Sequence, residues 1–247
     1  KCWRNLAYLH MRWTSSAPPC SSRKNNPVED PRFQMFECTN PACGLRFPTD
    51  LSTRSLEKCP FCGSKMREAG EPYANYHPNS DVPHAEGARI RVVLENLRSA
   101  LNVGSIFRTA NGAGVSEIVC CGTTPTPQHP KVQKSSLGAE IYTPWRYAAN
   151  GLNLVREVKQ AGDHILALEW TPRSLSLFDL HQLVQKGSGL TLILGNEISG
   201  IDPQILQIAD QVAHLPMYGV KTSINVAVTA GIALYHLVHN KSWTAQI

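Results

Sequence analysis

Residues 192–239 read LILGNEISGIDPQILQIADQVAHLPMYGVKTSINVAVTAGIALYHLVH. The stretch holds two short loops, Leu194-Gly195-Asn196-Glu197-Ile198-Ser199-Gly200-Ile201 and Leu215-Pro216-Met217-Tyr218-Gly219-Val220-Lys221-Thr222-Ser223-Ile224-Asn225. Each follows an apolar run of the kind that forms a buried parallel strand, Leu190–Leu194 and Gln211–Leu215. Each leads into a helix: Pro203 stands where a first-turn proline is tolerated, and Thr222 or Ser223 is the expected N-cap. In open α/β sheets ligands bind just past the carboxyl ends of strands. Glycines there admit close approach of the backbone, and free N–H groups at helix starts donate. Both loops are therefore candidate walls of one small-molecule pocket. On spacing alone, the alternative is a pair of ordinary strand-to-helix turns.

Upstream the pattern is regular from Arg89. Ile90–Leu94 is a predicted strand. Val103, Ile106, Phe107 and Ala110 mark one helix face, which ends near Gly112 and Gly114. Strands are expected at Ile118–Cys121, across Ile141–Tyr147 and at His164–Leu168, with a Gly122-Thr-Thr-Pro-Thr-Pro loop after the first of these and a helix over Leu152–Ala161. A helix from Pro203 and a last one from about Ser223 to His239 complete the series. Strands alternating with helices imply an α/β fold, a parallel sheet flanked by helices with right-handed crossovers. No internal repeat is present, and no run of about 18 apolar residues exists, so no transmembrane helix and no membrane partner is expected.

Three segments carry polar residues in a recognisable order: Asn96-Leu97-Arg98-Ser99-Ala100-Leu101-Asn102-Val103-Gly104-Ser105-Ile106-Phe107-Arg108-Thr109-Ala110 and the two loops above. Together they resemble the three motifs of the SPOUT superfamily, in its SpoU/TrmH-like branch of RNA ribose 2'-O-methyltransferases. The resemblance covers about residues 89–240. It implies a C-terminal trefoil knot, a site for S-adenosylmethionine built from the knot loops, and a homodimer whose interface passes beside that site. It further implies that Leu194, Gly195, Asn196, Gly200, Leu215, Met217 and Ile224 line the cofactor pocket, and that Asn102, Arg108, Glu197, Ser223 and Asn225 are the catalytic polar set. Ile224 stands where leucine is common and Ala227 where serine is common; neither puts the pocket in doubt. The implied reaction is methyl transfer to a ribose 2'-hydroxyl of structured RNA, transfer RNA and ribosomal RNA both remaining open.

A ribose hydroxyl is a weak nucleophile that needs its proton removed or its oxyanion stabilised, and the methyl needs in-line placement. The resemblance assigns hydroxyl activation to Arg108. Since a guanidinium normally stays protonated, Arg108 acts either as a base perturbed by a phosphate or a dimer partner, or as a stabiliser of the developing alkoxide. Asn102, about one turn earlier, is placed to orient it. Glu197 is read as shaping its loop, and Ser223 and Asn225 as holding the ribose or capping the loop.

Towards the N-terminus, Cys38-x4-Cys43 is followed by Cys59-x2-Cys62. Two close pairs separated by a hairpin-length segment suit structural zinc held by four thiolates, with Gly44 and Gly63 completing knuckle turns. A disulfide pair is the alternative and would need an oxidising compartment. A module of about 30 residues cannot build an adequate core, so the metal supplies folding energy. Arg46, Arg54, Lys58, Lys65 and Arg67 give this zinc ribbon scattered positive charge, for RNA docking or as a solvated face. Cys2 and Cys20 fall outside the pattern, and Cys120 and Cys121 are expected core thiols.

The net charge is +5, and residues 1–34 carry six Lys or Arg against two acids, which leaves the rest near neutral. A uniformly basic nucleic-acid-binding body is not supported, and phosphate binding would rest on a local patch or on the tail. The expected divisions are 1–34, a disordered extension; 35–67, the zinc ribbon; 68–88, a Pro- and Gly-rich linker in which His77 and His84 are solvated; and 89–247, the methyltransferase domain. Residues 1–28 contain no acid, so an organellar presequence stands as the second reading behind a cytoplasmic protein. Two rivals remain: a Rossmann-type enzyme, disfavoured because Gly112-Ala113-Gly114 ends a helix rather than opening one, and a non-catalytic zinc-ribbon RNA-binding or assembly protein on the same fold.

Overall fold

The computed structural model describes residues 32–52, 56–74, 89–180 and 188–239. The chain divides into two units, residues 1–82 and 83–247.

The first unit is a three-stranded antiparallel sheet: β1 (Phe33–Cys38), β2 (Arg46–Asp50) and β3 (Met66–Glu68), in the order β2-β1-β3. Period-two alternation along β1 sends Phe36 and Cys38 inward against Cys59 and Met66. Two expected boundaries move. Phe33 and Gln34, assigned to the extension, open β1. Ala69 and Tyr73, assigned to the linker, donate their N–H groups back to Met35 and Phe33 at 2.8 Å each. Unpaired backbone on β1 drives both changes, because a strand edge left bare inside so small a unit would lose its ladder bonds. The rest of the extension and of the linker, with His77 and His84, lies outside the described residues.

The second unit is a seven-stranded parallel sheet with helices on both faces. In chain order it comprises β4 (Ile90–Glu95), α1 (Ala100–Gly112), β5 (Glu117–Cys121), α2 (Pro130–Ser136), α3 (Ala139–Tyr142), β6 (Trp145–Ala148), α4 (Gly151–Gln160), β7 (His164–Leu168), β8 (Leu175–Ser176), a 3-10 turn (Leu177–Asp179), β9 (Leu190–Leu194), α5 (Pro203–Ile208), β10 (Gln211–His214) and α6 (Val226–His239). The sheet order is β6-β5-β4-β9-β7-β10-β8. β9 is buried along its whole length, as a central strand covered on both faces must be. Alternate residues feed two cores. One packs Val92, Leu94, Leu192 and Leu194 against Phe107, Ile106 and Leu234 of α1 and α6. The other packs Val93, Val119 and Ile193 against Leu154, Val155 and Ile205 of α4 and α5. Cys120 and Cys121 are core thiols as expected, and burial pushes both up to about 12.

The segment 141–147 departs from expectation. Ile141 and Tyr142 finish a short helix, and only Trp145 onward is strand. Leu137 and Gly138 both take left-handed backbone and start the new turn. Pro144 then forces Thr143 into extended geometry and ends it. Helix α6 begins at Val226 rather than Ser223, and its cap is Asn225, whose Oδ1 accepts from Ala227 N at 2.8 Å. At the amino ends of the strands, buried Asp163 accepts from Arg89, Arg91 and the hydroxyl of Thr191.

Gly104 sets how closely α1 and α2 approach. A Cβ there would lie 2.1 Å from Ser135 Oγ and 2.3 Å from the carbonyl oxygen of Val132. Because backbone cannot yield as a flexible side chain does, Gly104→Ala is expected to cost about 3 kcal/mol, read as a lower urea midpoint at unchanged slope.

Candidate functional site

β4, β9, β7 and β10 are consecutive in the sheet, so their carboxyl ends lie side by side although they come from residues 95, 194, 168 and 214. The segments after them enclose an open cavity of about 910 Å³. Its lining includes all seven expected pocket residues: Leu194, Gly195, Asn196, Gly200, Leu215, Met217 and Ile224. Asn102, Glu197, Ser223 and Asn225 face it as well.

The first loop is a tight turn closed on itself. Asn196 N donates to Gly200 O at 3.2 Å and Gly200 N to Asn196 O at 3.0 Å. The Asn196 side chain accepts from the N–H groups of Ile198 and Ser199 and donates to the carbonyl of Asn96 at 2.6 Å. Gly195 is required because a Cβ would sit 2.5 Å from Ile201 N. Gly200 is required because its φ is +72° and a Cβ would meet Glu169 Oε2 at 2.6 Å.

Glu197 reaches from this loop to the start of α1. Its carboxylate accepts from Arg98 N at 2.8 Å, Ser99 N at 3.2 Å and Asn102 Nδ2 at 3.0 Å. Asn102 Oδ1 in turn accepts from Asn225 Nδ2 at 3.1 Å. Glu197, Asn102 and Asn225, from three distant segments, thus form one hydrogen-bonded chain at the cavity wall. Partial burial opposes ionisation of Glu197, but the N–H donors outweigh it and hold the carboxyl below its ordinary value. Through these bonds Glu197 ties its loop to the start of α1. Ser223 lies exposed at the same wall.

Arg108 is not in this cavity. It borders a smaller concavity with Ser105, Thr109, Ser135 and Tyr235. The expectation that Asn102 orients it is overturned. Six residues apart on a helix of 3.6 residues per turn, the two side chains point about 120° apart around the axis, and Asn102 is committed to Glu197 and Asn225.

Sequence reasoning missed Glu95, Arg98, Glu169, Trp170 and His214. Glu95 and Glu169 brace the loop from neighbouring strands: Asp202 N donates to Glu95 Oε2 at 3.0 Å, and Ile201 N to Glu169 Oε2 at 3.1 Å. Burial pushes the Glu95 carboxyl up against the pull of that N–H. The available signal was position, since Glu95, Glu169 and His214 stand at or just past strand ends that the apolar runs had already marked.

In the first unit the four sulfurs of Cys38, Cys43, Cys59 and Cys62 lie within 4.8 Å of one another. Cys38 and Cys62 are 3.4 Å apart and Cys43 and Cys59 3.8 Å. Tetrahedral zinc with bonds of about 2.3 Å spaces its sulfurs about 3.8 Å apart, so the set fits that metal. Gly44 and Gly63 take the left-handed backbone of knuckle turns, at φ +58° and +74°. Phe61 N points at Cys59 Sγ at 3.4 Å, the kind of donor that supports a thiolate. Two of the expected free cations are spoken for: Arg46 and Arg67 both bind Glu37 at 3.0 Å. Lys58 and Lys65 sit opposite each other on the hairpin, exposed, and Arg54 lies outside the described residues.

Two outcomes follow from these sites. Chelation, or Cys59→Ser, is expected to remove one zinc per chain by metal analysis and to unfold the first unit, with its slow-exchanging β1 amides lost in hydrogen exchange. For Glu197, a carboxyl held low in the folded state adds stability above its ordinary pKa, and that stability is lost as pH falls through the lowered value. Glu197→Gln is therefore expected to cost about 1 kcal/mol at pH 7, roughly 2–4 °C in thermal midpoint. The gap to the unsubstituted protein should close as pH drops below about 4.

Comparison with known proteins agrees with this architecture. The model of the SpoU rRNA Methylase family matches residues 89–235. The 23S rRNA (guanosine(2553)-2'-O)-methyltransferase RlmP of Bacillus subtilis is 29% identical over 150 residues, which are 61% of this chain and 58% of that protein. The AdoMet-bound rRNA methyltransferase from Sinorhizobium meliloti superposes with a TM-score of 0.56 at 28% identity, over 66% of this chain and 60% of the other. The TrmH/SpoU tRNA modifying enzyme of A. aeolicus gives 0.55 at 25% identity, over 63% and 78%. The chain thus spans less than two thirds of the length of the curated relatives it matches. With more than half of its residues matched, and the motif loops gathered at one end of the sheet, the chain belongs to the SpoU rRNA methylase family.

Proposed function

We propose that this protein transfers a methyl group from S-adenosylmethionine to a ribose 2'-hydroxyl of transfer or ribosomal RNA. The observation that carries the reading is the cavity at the strand ends: all seven expected pocket residues line it, and the Glu197–Asn102–Asn225 chain borders it. The donor, when bound, supplies an electrophilic methyl on sulfonium. This chain's residues supply the rest. The N–H groups and glycines of the 194–201 and 215–225 loops hold the donor, and the polar chain and Ser223 orient the sugar. The donor would supply the methyl to the 2'-oxygen and keep the electron pair of its carbon–sulfur bond, and the hydroxyl proton would pass to solvent water. The planar guanidinium of Arg108, with its several N–H donors, is suited to stabilising the alkoxide rather than to accepting that proton.

The placement of Arg108 supports a homodimer as part of the reading. Leu101 on α1 and Val228, Ile232 and Tyr235 on α6 form an exposed apolar face, each at least 37% exposed. Tyr235 borders the concavity that holds Arg108. Two copies joined through this face would bury it and bring Arg108 to a junction where a second chain's site can use it. The C-terminal knot belongs to the same proposal, supported by the return of the 215–225 loop to α1 through Asn225. Four clustered thiols suit a reducing compartment, and we place the protein in the cytoplasm.

The test is methyl transfer from labelled S-adenosylmethionine to total RNA, with ribose methylation mapped afterwards. Arg108→Ala is expected to lower transfer at least a hundredfold while donor affinity by calorimetry stays within about twofold. RNA binding without transfer by the unsubstituted protein would favour the non-catalytic assembly role instead.

A further inference from the structure

A near-neutral body leaves phosphate binding to a local patch, and one stretch of the second unit meets that condition. Residues 98–139 carry Arg98, Arg108, Lys131 and Lys134 against a single acid, Glu117. That acid is spent at the amino ends of the strands, where Arg91 bonds it at 2.6 Å and Arg146 at 3.0 Å. Arg89 and Lys159 have carboxylate partners too. Lys131 and Lys134 have none among the described residues, and both stand exposed on α2.

Two exposed lysines alone are an ordinary solvated face; here the framework beneath them is fixed. The missing Cβ of Gly104 lets α2 press its backbone against α1. Buried Thr124 accepts from Leu97 N at 2.9 Å and donates to Leu94 O at 2.8 Å, which pins the loop before α2 to the end of β4. Gln133 Nε2 ties α2 to that loop through Pro127 O at 2.9 Å. Exposed His129 caps α2 by accepting from Lys131 N at Nδ1, 3.1 Å away. The neutral ring therefore carries its proton on Nε2, a third donor beside the two ammonium groups. Lys131 and Lys134, three residues apart, share one helix face. Ser135, next to Lys134 and one turn past Lys131, borders the concavity that holds Arg108. A ribose methylated within RNA has a phosphate on either side, so anionic backbone must pass close to the acceptor sugar. An ammonium group binds phosphate as a point charge without reading sequence, and no acid in residues 118–139 opposes the approach. We propose that His129, Lys131 and Lys134 form a phosphate-docking site for the RNA strand that adjoins the methylated ribose. This rests on the proposed RNA substrate.

Fluorescence anisotropy of the full chain with a labelled, mixed-sequence single-stranded RNA oligonucleotide tests it, between about 50 and 200 mM salt. The variant combining His129→Asn, which keeps a helix cap, with Lys131→Gln and Lys134→Gln should bind at least about tenfold more weakly at about 100 mM salt. Its slope of log affinity against log salt should be shallower by about 1.4, two single-strand phosphate contacts at about 0.7 each. It should raise the total RNA needed for half-maximal transfer in step with that loss, and leave maximal transfer and donor affinity within about twofold. Its thermal midpoint should match that of the unsubstituted protein, as expected of surface substitutions. Arg156→Gln, which removes an exposed cation of α4 on the opposite face of the sheet, should change neither affinity nor slope. An unchanged affinity and slope in the triple variant, or an equal loss in Arg156→Gln, would overturn the docking site. If the unsubstituted protein methylates nothing in total RNA, the transfer reading beneath it falls, and the salt slopes still decide the surface.

Discussion

A turn of eight residues cannot satisfy its own backbone, and here carboxylates do it. The loop after β9 presents the N–H groups of Ile201 and Asp202, and the start of α1 presents those of Arg98 and Ser99. Glu169, Glu95 and Glu197 accept all four. These four donations to carboxyl oxygens fasten the loop and the start of α1 to the sheet and to each other. Glu95 shows the cost of the arrangement. It is buried, its charge is resisted by that burial, and the N–H of Asp202 and the amide of Asn96 are what it has to offset the loss of water.

The parallel sheet makes this bracing possible. Adjacent strands β4 and β9 are about 100 residues apart in the chain, yet their registered pairing brings Glu95 and Leu94 level with the end of β9. A ligand at that end of the sheet meets four strand termini at once. The opposite end is closed by Asp163, clasped by Arg89, Arg91 and Thr191. The buried charge there is matched on several sides, which is the condition under which such a group is tolerated. One end of the sheet is thus sealed and the other open and polar.

The small N-terminal unit follows another logic. Among its described residues the buried apolar side chains are few, Phe36 and Met66 with the thiols of Cys38 and Cys59, and a metal held by the four cysteines would replace the core that its size denies it. Among its described residues Glu37 holds Arg46 and Arg67, and Asp50 holds Arg32. What it offers outward is Phe61 at 83% exposure on the knuckle between Cys59 and Cys62, with Lys58 and Lys65 exposed nearby.

The amino-acid sequence by itself determined the strands at His164–Leu168 and Leu190–Leu194, the helix faces and the grouping of four cysteines, while one shared pocket for both motif loops came from the family resemblance. Those features rest on local periodicity, on spacing and on residue types with few alternative uses. It did not determine Glu95, Glu169, Trp170 or His214, because nothing local distinguishes an acid that braces a loop 30 or 100 residues away from one that meets water. Nor did it separate Asn102 from Arg108, which look like neighbours in the chain. Only the packing of α1, with one side to the cavity and another beside α6, decided that one serves the loop network and the other a different face.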